Sequence, residues 1–163
     1  MKERKIFLVW IMVGLGVLIG AEVGCSTKVE ESLPIQENFL KPLSSSWEWI
    51  RENPQTYRFD DKGLWIQPEP GSLMGEGKGV KNILVRSLPE TARKVQVTVE
   101  FHPEIQYEQA GLILYRNDDQ YIKLVKEFVD GEPWIVMGIE GGGKITFLNK
   151  VPITGESVTL RLE

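Results

Sequence analysis

Apolar side chains recur at every second position through most of the chain after Trp47. In Arg93–Phe101, three valines and a phenylalanine alternate with glutamine, threonine and glutamate. Ser157–Glu163 has the same period of two. This alternation predicts strands with one buried and one solvated face, as in an antiparallel sheet. No segment has a period that argues for a helix.

Seven further runs have the composition of strands, and turn-forming residues separate them. Asp130-Gly131-Glu132-Pro133 and Gly141-Gly142-Gly143 are typical of turns because their residues adopt positive φ or cap the turn. Strands about every ten residues, with turns between them, predict a sandwich or a barrel. The runs are Tyr57–Phe59, Gly63–Gln67, Asn82–Arg86, Ala110–Tyr115, Tyr121–Phe128, Trp134–Ile139 and Lys144–Lys150.

The run Ala110–Tyr115 is apolar on both faces. Its two leucines share one face, and Gly111, Ile113 and Tyr115 share the other. This pattern indicates a central strand that is covered on both sides. A binding groove could supply the second cover.

The N-terminal residues 1–25 have the pattern of an export signal. Lys2, Arg4 and Lys5 precede Ile6–Ala21, a run of sixteen residues without a charge. A free-standing membrane span usually needs about twenty apolar residues, so this run is short for that role. A basic start followed by a short apolar run indicates a secretory signal.

Gly24-Cys25 after this run resembles the lipobox of bacterial lipoproteins, in which the cysteine is lipidated and becomes the new N-terminus. The sequence departs from that pattern at Glu22, where the family prefers leucine. We expect residues 1–25 to be a lipoprotein anchor lipidated at Cys25, with an uncleaved anchor and simple secretion as alternatives. All three place the domain outside the cytoplasm, in the bacterial cell envelope or secreted. Residues 26–36 are a predicted polar tether, and residues 37–163 are the predicted domain.

Composition restricts the chemistry of the domain. The net charge is −4 and the lysines and arginines are scattered, which argues against a nucleic-acid partner. Cys25 and His102 are the only residues of their types, so a disulfide within the chain and two-histidine zinc sites are excluded. We expect His102 to be a surface turn residue. We expect no cofactor, and weak calcium binding at Asp118-Asp119 is the minor alternative to a role in the turn.

Several segments, in their order and spacing, resemble the concanavalin A-like domain that lies C-terminal in family 43 glycosidases such as β-xylosidases, and the related DUF1349 domains. The similarity runs from about Phe39 to Glu163. Its most specific part is Tyr107–Tyr115, followed by Asp118–Leu124. The other matching segments are Trp47–Pro54, Gly63–Ile66 and Asn82–Arg86.

This resemblance implies an all-β fold, an antiparallel two-sheet jelly-roll sandwich of the concanavalin A-like lectin/glucanase type. In such folds the concave face commonly holds sugar, and in the glycosidases the domain packs beside a catalytic propeller. Family members continue beyond the strand that matches Val158–Leu162, whereas this sequence stops at Glu163. We expect a sandwich without its last strands. A truncated gene, a shortened fold and completion by a partner chain stay open as explanations.

A glycoside hydrolase usually needs two carboxylates, about 5 Å apart for retention or roughly 6.5–9.5 Å apart for inversion. Concanavalin-like glucanases carry them on one strand as Glu-x-Asp-x-x-Glu, and the sequence lacks that spacing. Adjacent residues such as Glu108 and Gln109 point to opposite faces of a strand. We therefore expect a non-catalytic domain, with a remnant glycoside hydrolase as the minor alternative.

Sugar binding needs flat apolar surfaces and polar groups, which aromatic rings and planar amides supply. Trp47 and Trp49 are two residues apart and share a face if that segment is extended. We expect both in the core, with a sugar-facing role as the alternative. The ligand-facing candidates lie on the central strands, with packing as their alternative role. Gln109 ranks lower by pattern because we expect it to join the face of Tyr115 only across a bulge, although the resemblance favours it. The candidates are Tyr115, Tyr121, Lys123, Trp134, Gln109 and Glu127.

The sequence as a whole predicts a surface-tethered, non-catalytic carbohydrate-binding or glycosidase-accessory domain. Its expected ligand is an oligo- or polysaccharide of the xylan type, and its N-terminal lipid or anchor would contact the membrane. The alternative is a protein interaction module whose incomplete sandwich a partner protein completes.

Overall fold

The computed structural model describes residues 5–8, 35–40, 43–73 and 79–163. Within these ranges the chain forms eleven strands and no helix, as the period of two predicts. The strands are β1 (Lys5–Leu8), β2 (Trp47–Ile50), β3 (Tyr57–Asp60), β4 (Gly63–Ile66), β5 (Ile83–Ser87), β6 (Val95–Glu100), β7 (Gln109–Asn117), β8 (Gln120–Val129), β9 (Glu132–Gly141), β10 (Lys144–Pro152) and β11 (Ser157–Leu162).

Seven strands form one large sheet in the order β10-β9-β8-β7-β1-β5-β2. The pairs β11–β6 and β3–β4 form two smaller sheets. Every pairing is antiparallel. The prediction of an antiparallel, all-β chain is therefore confirmed.

Tight hairpins connect β8, β9 and β10. Asp130 and Gly131 join β8 to β9 with φ of 55° and 92°, and Gly142 and Gly143 join β9 to β10 with φ of 67° and 84°. Positive φ at both central residues defines the two-residue turn whose twist matches the flanking strands. Turns are thus present at both predicted places, although Glu132, Pro133 and Gly141 of the predicted segments belong to β9.

The main core lies between the large sheet and the two small sheets. Leu84 of β5 and Leu112 of β7 contribute from the large sheet, while Val99 of β6 and Leu160 of β11 contribute from the small β6–β11 sheet. Leu84, Leu112 and Val99 are fully buried. Each such side chain stabilises the fold by about 1.5–3 kcal/mol relative to exposure. The face of β6 and β11 that alternation predicts to be buried is therefore the one that faces this core.

The aromatic residues near the start of the domain belong to this core. Trp47 and Trp49 of β2 are partly buried against it. The Trp49 ring stacks on Tyr57, with a centroid distance of 4.4 Å and an interplanar angle of 25°. Trp47 packs on Phe39 at a centroid distance of 5.4 Å. The prediction that both tryptophans are core residues is confirmed.

Strand β7 is covered on both faces, as its sequence predicts. Its second face, with Ile113 and Tyr115, packs with Ile83 and Val85 of β5 and with Tyr121 of β8. These five residues are all buried. Ile113 and Tyr121 of this second cluster line the cleft described below.

A buried lysine links the large sheet to the small β6–β11 sheet. The Lys126 ammonium donates to the carbonyl oxygens of Gly155 at 2.7 Å, Glu156 at 3.2 Å and Phe101. Burial lowers the pKa of Lys126, and the nearby Glu156 carboxylate partly offsets this. The three carbonyls satisfy the charge that burial would otherwise leave unpaired.

The expected leader and tether are described only in part. Lys5–Leu8 form β1, an interior strand of the large sheet between β5 and β7. Residues 1–4 and 9–34, including the lipidation candidate Cys25, lie outside the described residues. In the described ranges no helix is long and apolar enough to cross a membrane.

Candidate ligand cleft

A cleft of about 1080 Å³ lies against the second face of β7, β8 and β9. Its volume is just above the usual range for small-molecule sites, about 300–1,000 Å³. Further lining comes from Trp65–Glu69, Glu100–His102 and Tyr107–Gln109. The strand residues that line it include Ile113 of β7, Tyr121, Lys123, Val125 and Glu127 of β8, and Val136 of β9.

Strand register explains why distant residues meet on this face. Tyr115 lies opposite Tyr121, Ile113 opposite Lys123, and Gln109 opposite Glu127. On the next pair, Glu127 lies opposite Trp134. Because opposite residues of paired strands share a face, all six ligand-facing candidates lie on the same face of the large sheet.

Gln109 reaches this face without a bulge. The pairing of β7 with β8 is regular from Gln109 to Tyr115, and its one irregularity falls between Tyr115 and Asn117. The expectation of a bulge before Tyr115 is therefore wrong. Residues separated by an even number of positions share a face of a strand, so Gln109 and Tyr115 are in phase by simple alternation.

Lys123 forms the polar centre of the cleft. Its ammonium donates to Gln109 Oε1 at 2.9 Å and to Glu127 Oε2 at 3.1 Å. The side chains of Lys123 and Glu127 are only 8% and 7% exposed. An ammonium has three protons to donate, so these two bonds leave one for a ligand oxygen. The Lys123 ammonium and the Glu127 carboxylate therefore offer a ligand one hydrogen-bond donor and one acceptor in the cleft.

Tyr121 is the phenol beside this group, and it is buried. Burial, followed by the negative charges of Glu140, Asp118 and Glu127, raises the pKa of Tyr121 to about 12. The phenol is therefore protonated at neutral pH and can donate a hydrogen bond. Glu140 on β9 lies opposite Tyr121 and is also buried.

Tyr115 shares the face but is engaged by the adjacent turn. Its hydroxyl donates to Asp118 Oδ1 at 2.6 Å, and Asp118 accepts two bonds from the Arg51 guanidinium, at 2.8 and 3.0 Å. Burial and this carboxylate raise the pKa of Tyr115 to about 12. Tyr115 anchors the β7–β8 turn, and it is not among the described residues that line the cleft.

Trp134 also lies on the shared face without lining the described cleft. The Lys150 ammonium lies 3.8 Å from the centroid of its ring, a cation–π contact that covers one ring face. Its buried Nε1 has no hydrogen-bond partner among the described residues. The face covered by Lys150 is closed to a stacked sugar unless Lys150 moves.

Sequence reasoning missed two exposed aromatic rings at the cleft. Phe147 of β10 is 59% exposed and Tyr107 is 64% exposed, and both line the cleft. The Lys123 ammonium is 5.9 Å from the centroid of the Phe147 ring. Phe147 is two residues after Ile145 in a predicted strand, so alternation could have placed it on one face. Only the fold shows that this face is the one with the cleft.

The structure also shows the surroundings of His102 and of the Asp118-Asp119 turn. His102 is a surface residue, with its side chain 67% exposed and Nε2 3.7 Å from Glu104, as predicted. In the β7–β8 turn the Asp119 amide donates to Asn117 Oδ1 at 2.9 Å. In the part of the chain that the structure describes, no group of three or more metal-ligating side chains comes together.

Antiparallel sheets packed around one core, with a ligand-sized cleft on the larger sheet, define a β-sandwich domain of the jelly-roll class. The chain belongs to the family of concanavalin A-like C-terminal domains of β-xylosidases, whose family model matches residues 36–163. No curated protein and no solved structure matches the chain. The predicted family and fold are thereby confirmed, and the chain is a glycosidase-associated domain.

Proposed function

We propose that this chain is a non-catalytic carbohydrate-binding or glycosidase-accessory domain, tethered to the bacterial cell surface through lipidated Cys25. Its ligand is an oligo- or polysaccharide of the xylan type, held in the cleft. The observation that carries the proposal is the combination, in one cleft, of the buried Lys123–Glu127 pair, bonded to the exposed Gln109, with exposed aromatic rings.

This combination suits a sugar because a sugar ring has an apolar face and a rim of hydroxyls. Phe147 and Tyr107 supply exposed rings for the apolar face. Lys123 supplies a donor for hydroxyl oxygens, and the Glu127 carboxylate supplies an acceptor for hydroxyl protons. Few rings contribute, so we expect dissociation constants on the order of 0.1–1 mM.

Calorimetric titration with xylo-oligosaccharides tests this proposal. Phe147→Ala removes an exposed ring from the cleft and should weaken binding about 10-fold, equal to ~1.4 kcal/mol. Leu148→Ala is the matched control, because Leu148 is the exposed neighbour and is not among the described lining residues. It should bind like the unchanged chain. Silence across plant and microbial polysaccharides would refute sugar binding.

A polar variant tests the centre of the cleft. Lys123→Met keeps the length of the side chain but removes the ammonium between Gln109 and Glu127. We expect binding to be lost, with the fold retained as judged by circular dichroism. Release of reducing sugar by the unchanged chain, abolished by replacing one carboxylate, would instead favour the remnant hydrolase.

The tether is tested separately from the cleft. In a bacterial host, Cys25→Ser should abolish incorporation of labelled fatty acid and release the chain from the membrane fraction. Cys25 is the only cysteine, so the label reports on a single site. Equal membrane retention and no label in either chain would contradict lipidation, while leaving sugar binding unaffected.

A further inference from the structure

β1 is an interior strand of the large sheet, so the backbones of β5 and β7 both rely on this one short segment for their hydrogen bonds. Lys5–Leu8 pair with β7 on one side, and Lys5–Phe7 pair with β5 on the other. The residues opposite Phe7 are Val85 and Ile113, which are 0% and 2% exposed. The strands β5 and β7 together form a slot that β1 fills.

An empty slot would leave backbone groups of β5 and β7 without partners in the middle of a sheet. Each buried donor or acceptor left unpaired destabilises a fold by about 1–3 kcal/mol. Both strands run antiparallel to β1 and hence parallel to each other. With β1 absent they would stand about 10 Å apart, two strand spacings, too far for direct pairing. The sheet therefore needs an extended segment in this slot.

The segment that fills the slot coincides with the start of the expected leader, whose apolar run is Ile6–Ala21. A leader that is removed or held in a membrane cannot also be the central strand of a sheet outside that membrane. Given the proposed export, we propose that the slot is a strand-acceptor site. Lys5–Leu8 occupy it in the full chain, and an extended apolar segment of a partner protein occupies it after export.

The slot itself specifies the chemistry of this partner segment. On one face of the sheet, the slot is flanked by Leu84 and Leu112, which belong to the core between the sheets. On the opposite face of the sheet, it is flanked by Val85 and Ile113 of the second cluster. A segment that pairs with both strands is covered on both faces, so it must be apolar at successive positions, unlike a strand added at a sheet edge. It must also run antiparallel to β5 and β7.

A second copy of the chain is a poor occupant for the slot. Each described strand already has a place in one of the three sheets. A mature copy would have to unfold part of its own sandwich to donate a strand. A different polypeptide with a free extended segment meets no such cost, so the proposal commits to a partner of that kind.

The test compares the full chain with a chain that begins at residue 25 and carries Cys25→Ser. The probe is a labelled peptide with the sequence of residues 4–10, joined to a polar solubilising tag. We expect it to bind the shortened chain, raise its melting temperature and protect the β5 and β7 amides from hydrogen exchange. The full chain should bind it at least about 10-fold more weakly, a difference of ~1.4 kcal/mol, because its slot is filled.

The control peptide carries Phe7→Pro, which removes a backbone donor and restricts φ at the centre of the strand. It should bind at least about 10-fold more weakly than the unchanged peptide. If the shortened chain fails to fold alone, refolding with the unchanged peptide, or with the same segment appended after Glu163 through a flexible linker, should restore it. Failure of both would overturn the proposal.

Two further results would overturn it. In the first, the shortened chain melts as a cooperative monomer at the temperature of the full chain, with β5 and β7 already protected. In the second, the shortened chain fills its slot by forming a dimer, which would identify a second copy as the occupant. Equal binding of the unchanged peptide and the Phe7→Pro peptide would also overturn the proposal, because it would show that the peptide does not pair as a strand in the slot.

Discussion

At the scale of single residues, the buried charges and phenols have the most specific roles in this molecule. Lys123 and Lys126 lie on the same strand with an odd separation, so their side chains point to opposite faces. One donates to side chains in the cleft and the other to three backbone carbonyls between the layers. The same residue type thus serves a candidate ligand site on one face and the connection between sheets on the other.

Lys126→Met should destabilise the fold by about 2–3 kcal/mol, because it leaves buried carbonyl oxygens without their charged donor. Urea unfolding followed by circular dichroism measures the change. Lys144→Met is the matched control, since Lys144 is exposed at the start of β10; it should change stability by no more than about 0.5 kcal/mol. Equal effects of the two substitutions would contradict the linking role of Lys126.

Three phenols should make the fold sensitive to alkaline pH. Burial raises the pKa of Tyr57, Tyr115 and Tyr121 to about 12, helped by carboxylates near each ring. An unfolded tyrosine ionises near pH 10. Because the folded pKa is the higher one, the stabilisation is fully present below about pH 10 and is lost as pH rises toward about 12.

Ultraviolet absorbance of the phenolate measures this titration, and denaturant unfolding at several pH values measures its effect on stability. We expect Tyr115→Phe to flatten the fall in stability between about pH 10 and 12, since it removes one linked group. Ionisation of Tyr57, Tyr115 and Tyr121 near pH 10 in the folded chain would contradict this account.

At the scale of elements, the close pairing of β7 and β8 holds the cleft floor together. An added Cβ at Gly111 would lie 2.7 Å from Val125 Cα and 2.8 Å from Leu160 Cδ1. It would also overlap the carbonyl oxygen of Leu124. The absence of a side chain at Gly111 therefore allows β7 to approach β8 and the small β6–β11 sheet.

Gly111→Ala should destabilise the chain by about 1–3 kcal/mol through overpacking, and it should weaken sugar binding because Lys123 and Gln109 flank it on the cleft face. Thermal unfolding and calorimetric titration measure the two effects. Gly141→Ala is the control, since a Cβ there meets nothing within 4 Å. An unchanged melting temperature for Gly111→Ala would show that the strands can separate freely.

At the scale of the whole molecule, the large sheet extends beyond the cover that the small sheets provide. β10 is the last strand of the large sheet, and it exposes Phe147, Leu148 and Val151. Ile139 of β9 is also exposed. An apolar, unpaired edge strand is prone to self-association.

Leu148→Lys should reduce self-association at high protein concentration, because charge on an edge strand opposes pairing with another edge. Sedimentation or light scattering measures the effect. The free energy of unfolding should change by no more than about 0.5 kcal/mol, since the site is exposed. Equal association of the two chains would show that the β10 edge does not mediate it.

The sequence predicted the strands well because alternation is a local signal. The run Arg93–Phe101 corresponds to β6, Tyr121–Phe128 to β8 and Trp134–Ile139 to β9, each within a few residues of the observed bounds. The two-residue turn at Asp130-Gly131 was equally local. Local patterns did not reveal that Lys5–Leu8 form a central strand, because pairing between segments far apart in the chain leaves no periodic trace in either of them.

The candidate cleft was predictable only in part, for a related reason. Alternation selects the residues that share a face, and it correctly grouped Lys123 with Glu127 on β8. It could not separate Tyr115, whose hydroxyl is taken by Asp118, from Tyr121, which lines the cleft. It also could not show that the ring of Trp134 is covered by Lys150. Those differences depend on neighbours from other strands.

By itself, the order of apolar and polar residues determined an antiparallel all-β domain, its turns, and the family to which the chain belongs. Each of these follows from short-range chemistry: the side-chain period of a strand, the φ preferences of glycine and aspartate, and the order of segments. The tertiary structure decided which sheet face bears the cleft, which lysine faces it, and which segment fills the slot between β5 and β7. These depend on register between distant strands, where a shift of one residue would move every side chain to the opposite face.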